Sequence, residues 1–121
     1  MRLILILTAL LAFQSAAASE FDEMKALADQ GMAAAQFNLG IMYSNGQGVP
    51  VSEFEIPWFS EEGVPNNNTR AYIWLSMAKT QGNASAVTYI DILKPKMTPK
   101  QIATGQALAT KCYESNYKDC D

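Results

Sequence analysis

Ala35-Gln-Phe-Asn-Leu39-Gly40-Ile-Met-Tyr43-Ser-Asn-Gly46-Gln-Gly48-Val49 is the stretch that decides the fold. Ala35, Leu39, Met42 and Tyr43 recur at i, i+4, i+7 and i+8, which places them on one face of a helix. The spacing predicts a helix over 33–44. Asn45-Gly46-Gln47-Gly48 then forms a turn, because glycine takes positive φ without steric cost. A second block answers the first. Ala71, Trp74, Leu75 and Ala78 share a face, and Gly82 closes a helix predicted over 69–81. Small residues at Ala35, Gly40, Ala71 and Ala78 let two antiparallel helices approach closely. Tyr43 and Trp74 fill the space that remains between them.

Working outward, Phe21, Met24, Leu27 and Ala28 predict a helix over 21–30, ended by Gly31 as a left-handed cap. Val87, Ile90 and Leu93 predict a buried face on a helix over 84–93, stopped by Pro95. Thr98-Pro99-Lys100-Gln101 is a capping box with proline at the first helical position. It opens a helix expected to reach about Tyr113 and to bury Ile102, Leu108, Ala109 and Cys112. No strand pattern competes, so the chain reads as all-α.

The glycine caps align an internal repeat. Gly31-Met32-Ala33-Ala34-Ala35 resembles Gly82-Asn83-Ala84-Ser85-Ala86 at an offset of 51, and Leu39 pairs with Ile90 at the same offset. Gly48-Val49-Pro50 recurs as Gly63-Val64-Pro65, 15 residues later. Without those residues the offset falls to about 36, close to the period of tetratricopeptide-type repeats. The chain therefore reads as a helical-hairpin repeat over about 31–82, with an insertion over 51–65 in its inter-helix loop. One hairpin cannot bury its apolar face alone, so flanking half-repeats and a C-terminal cap over about 97–121 must stack on it.

At these residues the chain resembles the Sel-1-like repeat family, a tetratricopeptide-related group of helical solenoids. The family's first helix carries Ala-x-x-x-Leu-Gly-x-x-Tyr, here Ala35, Leu39, Gly40 and Tyr43. Its turn carries Gly-x-Gly-Val, here Gly46, Gly48 and Val49. Its second helix carries Ala-x-x-Trp-x-x-x-Ala-x-x-x-Gly, here Ala71, Trp74, Ala78 and Gly82. The resemblance spans about Met24 to Tyr113 and implies a short α/α solenoid of antiparallel hairpins with a C-terminal capping helix. It also implies an exported bacterial protein that binds other proteins. The insertion departs from the family pattern.

The N-terminus supports export independently. Arg2 precedes the apolar run Leu3 to Phe13, and Ala16-Ala17-Ala18 supplies small residues for cleavage, the layout of a secretory signal peptide. Cleavage is expected after Ala18. The mature domain over 19–121 would then be periplasmic or secreted, with no membrane span. Losing Arg2 takes the net charge from −3 to −4. No basic run or stripe exists, which disfavours nucleic acid and anionic membrane surfaces. The two cysteines, Cys112 and Cys120, would meet an oxidising compartment, so a disulfide is the simplest expectation. Closing so short a loop is worth roughly 2–3 kcal/mol.

The residues do not compose an active centre. There is no histidine, so the commonest general base and metal ligand is missing. Ser76-Met77-Ala78-Lys79 has Ser-x-x-Lys spacing but falls mid-helix inside the repeat pattern, where solvated surface is the better reading. Gly46-x-Gly48 lacks the strand and Lys-Ser/Thr of a phosphate loop. Glu53, Glu55, Glu61 and Glu62 lack the spacing of a calcium loop. Asn67-Asn68-Thr69 and Asn83-Ala84-Ser85 match a glycosylation pattern but read more simply as helix-start and helix-end residues. No catalytic residue, cofactor, metal or small-molecule substrate is expected.

The insertion itself stands out: Val51-Ser-Glu-Phe-Glu-Ile-Pro-Trp-Phe-Ser-Glu-Glu-Gly-Val-Pro65. Phe54, Ile56, Trp58 and Phe59 alternate with acids. They either cover the protein's own thin core, which the cost of exposed aromatics favours, or dock a partner, since aromatics dominate interface hot spots. The expected function is protein–protein interaction through the repeat surface and this aromatic loop. Inhibition of a toxin or envelope enzyme, as by an immunity protein, is the alternative. A cell-wall or β-lactam hydrolase is suggested for some cysteine-rich relatives. Those carry a cysteine pair within each repeat, and this chain does not.

Overall fold

The computed structural model describes residues 20–46 and 67–120. Five α-helices are formed there: α1 (Glu20–Asp29), α2 (Ala33–Asn45), α3 (Asn67–Thr80), α4 (Ala84–Leu93) and α5 (Pro99–Glu114). One 3-10 turn, Lys94–Lys96, joins α4 to α5. The chain is an all-α solenoid of helical hairpins, and α5 is a C-terminal helix distinct from the repeat pairs. The helix α3 is the hub, packed by α2, α4 and α5, while α1 packs on α2.

That central position explains a departure from the sequence reading. A single apolar face was expected on α3. The structure instead buries Thr69, Ala71 to Leu75, Met77 and Ala78, because neighbours approach from three sides. The uninterrupted apolar run 71–75 is the sequence trace of this enclosure.

The turns obey one rule. At the end of α1, Gly31 N–H donates to the Ala28 carbonyl and Met32 N–H to that of Leu27. At the end of α3, Gly82 N–H donates to Lys79 and Asn83 N–H to Ala78. Both are Schellman turns, and both glycines sit left-handed, at φ 91° and 88°. The two repeat the same hydrogen bonds at the 51-residue offset, so the repeat is carried by backbone geometry as well as by apolar spacing.

Other boundaries follow from local chemistry. Glu20, Asp22 and Glu23 occupy the first turn of α1, where the helix dipole favours negative charge. Asn83 caps α4 by accepting from Ala86 N–H. Thr98 Oγ1 accepts from Gln101 N–H at 3.1 Å, and Gln101 Oε1 accepts from Thr98 N–H at 2.9 Å, completing the capping box.

Three expected core positions shift. Val87 is 40% exposed, and the buried face of α4 is Ala86, Ile90 and Leu93 instead. Those three recur at i, i+4 and i+7, whereas Val87 lies about 100° around the helix from Ala86. On α5, Ala109 and Cys112 are buried, but Ile102 and Leu108 are only half-buried. A close approach of α5 to α3 is made at Gly105, where a Cβ would lie 2.8 Å from Tyr72 Cδ1. Cys112 and Cys120 form a disulfide that ties the end of α5 to the C-terminal loop.

Candidate interaction surface

The motif residues of the repeat point inward. Ala35, Leu39, Gly40 and Tyr43 of α2 are buried, as are Ala71, Trp74 and Ala78 of α3. At Gly40 the two helices approach closely: a Cβ there would lie 2.7 Å from Leu75 Cγ and 3.3 Å from the Ala71 carbonyl oxygen. Tyr43 stacks edge-on against Phe21 at 5.5 Å between ring centroids. Lys25 Nζ stands 5.9 Å from the Trp74 ring, and the Arg70 guanidinium 5.9 Å from the Tyr43 ring. Trp74 is fully enclosed, and its Nε1–H finds no acceptor among the described residues. Gly46 takes the left-handed cap of α2 at φ 69°, while Gly82 caps α3. Gly48 lies outside the described residues.

A polar chain from the buried Gln36 to the exposed Gln81 joins the two Schellman turns. Gln36 is fully buried; its Nε2 donates to the Ala28 carbonyl at 3.1 Å. Gln81 Nε2 donates to Gln36 Oε1 at 2.8 Å and to the Gly31 carbonyl at 2.9 Å. The turn after α3 is thus stitched to the turn after α1. The sequence reading passed over Gln36, although it shares a face with Leu39, Gly40 and Tyr43 at i, i+3, i+4 and i+7. The signal was a polar side chain in phase with the core.

Two hydroxyls on α3 are committed to their own helix. Ser76 Oγ donates to the Tyr72 carbonyl at 2.7 Å, and Thr80 Oγ1 to that of Met77 at 2.6 Å. Ser76 is therefore not aimed at Lys79. Among the described residues no group of three or more His, Cys, Asp or Glu could hold a metal ion. No helix there is long and apolar enough to cross a membrane.

What faces outward is modest. Met32, Val87, Ile92 and Tyr113 are the large apolar side chains exposed among the described residues. Phe37 of α2 meets Tyr89 of α4 edge-on at 6.3 Å, and Tyr89 OH shares a 3.2 Å hydrogen bond with Ser44 Oγ. This closes the α2–α4 side of the solenoid with half-buried aromatics. Phe54, Ile56, Trp58 and Phe59 lie outside the described residues, as do Glu53, Glu55, Glu61 and Glu62.

Residues 33–54 and 58–83 match the family model described as Sel1 repeat. The fold is that of a Sel1-repeat solenoid. The first matched segment contains α2 and the second contains α3, so together they cover the hairpin built around Gly40. Sel1-repeat modules are typically non-catalytic scaffolds for protein interaction. Comparison with curated proteins and with solved structures returns no match.

Proposed function

We propose that this Sel1-repeat module is exported and binds a partner protein through its repeat surface and the aromatic segment 51–65. The observation that supports this most is the placement of that segment. The turns joining α1 to α2 and α3 to α4 take only residues 30–32 and 81–83, whereas the connection from α2 to α3 runs from 46 to 66. Insertions in solenoid repeats map to loops on one face, often the binding face. The helical motif residues Ala35, Leu39, Gly40, Tyr43, Ala71, Trp74 and Ala78 are spent on packing, which leaves specificity to what the repeat adds. In the second reading the partner is a single toxin or envelope enzyme that the module inhibits. The acidic, aromatic composition of the segment suits plugging a cleft.

The test is Trp58→Ala in the full chain, with capture of partners from extract of the compartment in which the protein accumulates. Loss of a stoichiometric partner with an unchanged thermal melt supports docking through the segment. Equal capture by parent and variant refutes it. A fall in the captured enzyme's activity upon adding the module selects inhibition. For export, the secreted chain should begin at Ser19, and a product retaining Met1 would overturn that assignment.

A further inference from the structure

The end of α5 repeats the turn seen twice elsewhere, but with the wrong residues for it. Asn116 N–H donates to the Tyr113 carbonyl and Tyr117 N–H to that of Cys112, which is a third Schellman turn. Asn116 stands where Gly31 and Gly82 stand, at φ 57°; asparagine tolerates that geometry. Tyr117 is different. It too is left-handed, at φ 67°, a conformation that bulky residues avoid. Its ring lies so close to Gly31 that a Cβ on Gly31 would come 3.0 Å from Tyr117 Cε2. The strained residue therefore seats the C-terminal loop on the N-terminal turn. Gly31 in turn receives Gln81 on its carbonyl, so all three turns meet at this point.

Backbone held in a disfavoured region persists only where its surroundings impose it. Here the constraint is the Cys112–Cys120 bond, which spans the strained residue. Ser115 Oγ, which donates to the Cys112 carbonyl and accepts from Asp119 N–H, and the exposed Lys111–Asp119 pair brace the same loop. We propose that the disulfide is a redox latch: while oxidised it holds Tyr117 against Gly31 and clamps α1, and on reduction the loop relaxes and frees that turn. The reductant is a dithiol. One of its thiolates attacks Cys120 Sγ, the less enclosed of the two sulfurs by residue burial. The S–S bond breaks, and Cys112 leaves as a thiolate and takes up a proton. The second thiol of the reductant then displaces Cys120, which also ends as a thiol. Two electrons and two protons pass to the protein, and the reductant becomes a disulfide. The latch holds in oxidising surroundings and opens in reducing ones, independently of which partner the module binds.

Amide hydrogen exchange on the full chain, with and without dithiothreitol, tests this. Reduction should speed exchange at 112–120 and also at 27–32, while 72–78 in α3 keeps its protection. The expected rise is roughly tenfold or more, within the ~80-fold that loop-closure entropy allows for so short a loop. Tyr117→Gly keeps the disulfide, relieves the backbone and removes the ring. In that variant 27–32 should exchange quickly even when oxidised and should not respond to reductant. Unchanged exchange at 27–32 on reduction of the parent overturns the latch. So does loss of protection throughout α3, because the disulfide would then be a staple of the whole domain.

Discussion

Gly40→Ala tests the close crossing on which the repeat is built. Two effects oppose one another. Alanine in a helix interior is favoured over glycine by about 1 kcal/mol. Against that, the new Cβ would stand 2.7 Å from Leu75 Cγ and 3.3 Å from the Ala71 carbonyl oxygen. Leu75 is fully buried, and the atom struck is its branch carbon, not a mobile tip. The helices must separate, and overpacking of this kind costs about 1–3 kcal/mol. The upper half of that range applies, since backbone stands on one side and a fixed Cγ on the other. The net loss is about 1–2 kcal/mol, a fall in melting temperature of roughly 5–15 °C for a domain this small. Thermal and urea unfolding followed by far-UV circular dichroism would measure it. Leu75→Ala alone should cost about 2–5 kcal/mol through the cavity it leaves. In the double variant the alanine at 40 meets that cavity instead of Leu75. The pair should be no less stable than Leu75→Ala, with a coupling of about 1 kcal/mol or more. Gly82→Ala supplies the contrast. Its φ is 88° with nothing within 4 Å of a Cβ, so it should lose about 1–2 kcal/mol from backbone strain alone. Leu75→Ala should not rescue it. A Gly40→Ala protein as stable as the parent, or strict additivity with Leu75→Ala, would refute the reasoning.

Gln36→Leu keeps the side-chain volume but removes its bonds to the Ala28 carbonyl and to Gln81, leaving that carbonyl with the Gly31 N–H alone, so it should destabilise by about 1 kcal/mol. A urea titration checks this, and Gln81→Ala should add less to that variant than it costs the parent. Thr98→Ala removes half of the capping box at an exposed position and should lower stability by about 1 kcal/mol. The urea midpoint should fall with the slope unchanged, and a changed slope would mean that more than a cap was lost.

The parts of the fold that were legible are those where a local rule has no competitor. Helix α4 could be ended because Pro95 punctuates it, while Asn83, read as the close of the preceding helix, turns out to cap the start of α4. Helix α5 could be started at Pro99 because the capping box is a four-residue signal. The hairpin was legible through Gly40, whose missing side chain matters only if another helix lies against it. Positions decided by neighbours were harder. Nothing local separates Val87 from Ala86 as the buried residue of α4, because the larger side chain is the natural choice until α3 is in place. The same holds for Gly105, which makes sense only opposite Tyr72. The interaction surface was the least legible part, since the repeat pattern describes what is inside.

The three Schellman turns sharpen this point. Two are written with glycine and can be read directly, and they set the repeat. The third uses Asn116 and Tyr117, which no turn rule would choose together. A locally disfavoured residue survives when its surroundings hold it, and here those are the Cys112–Cys120 bond and Gly31. The absence of a glycine at 116–117 is therefore informative. Glycine at 117 would form the turn without strain and would need neither the disulfide nor the contact with α1. Tyrosine makes the turn depend on both, so the C-terminal loop is coupled to the turn after α1 through a bond that a change of redox environment can break.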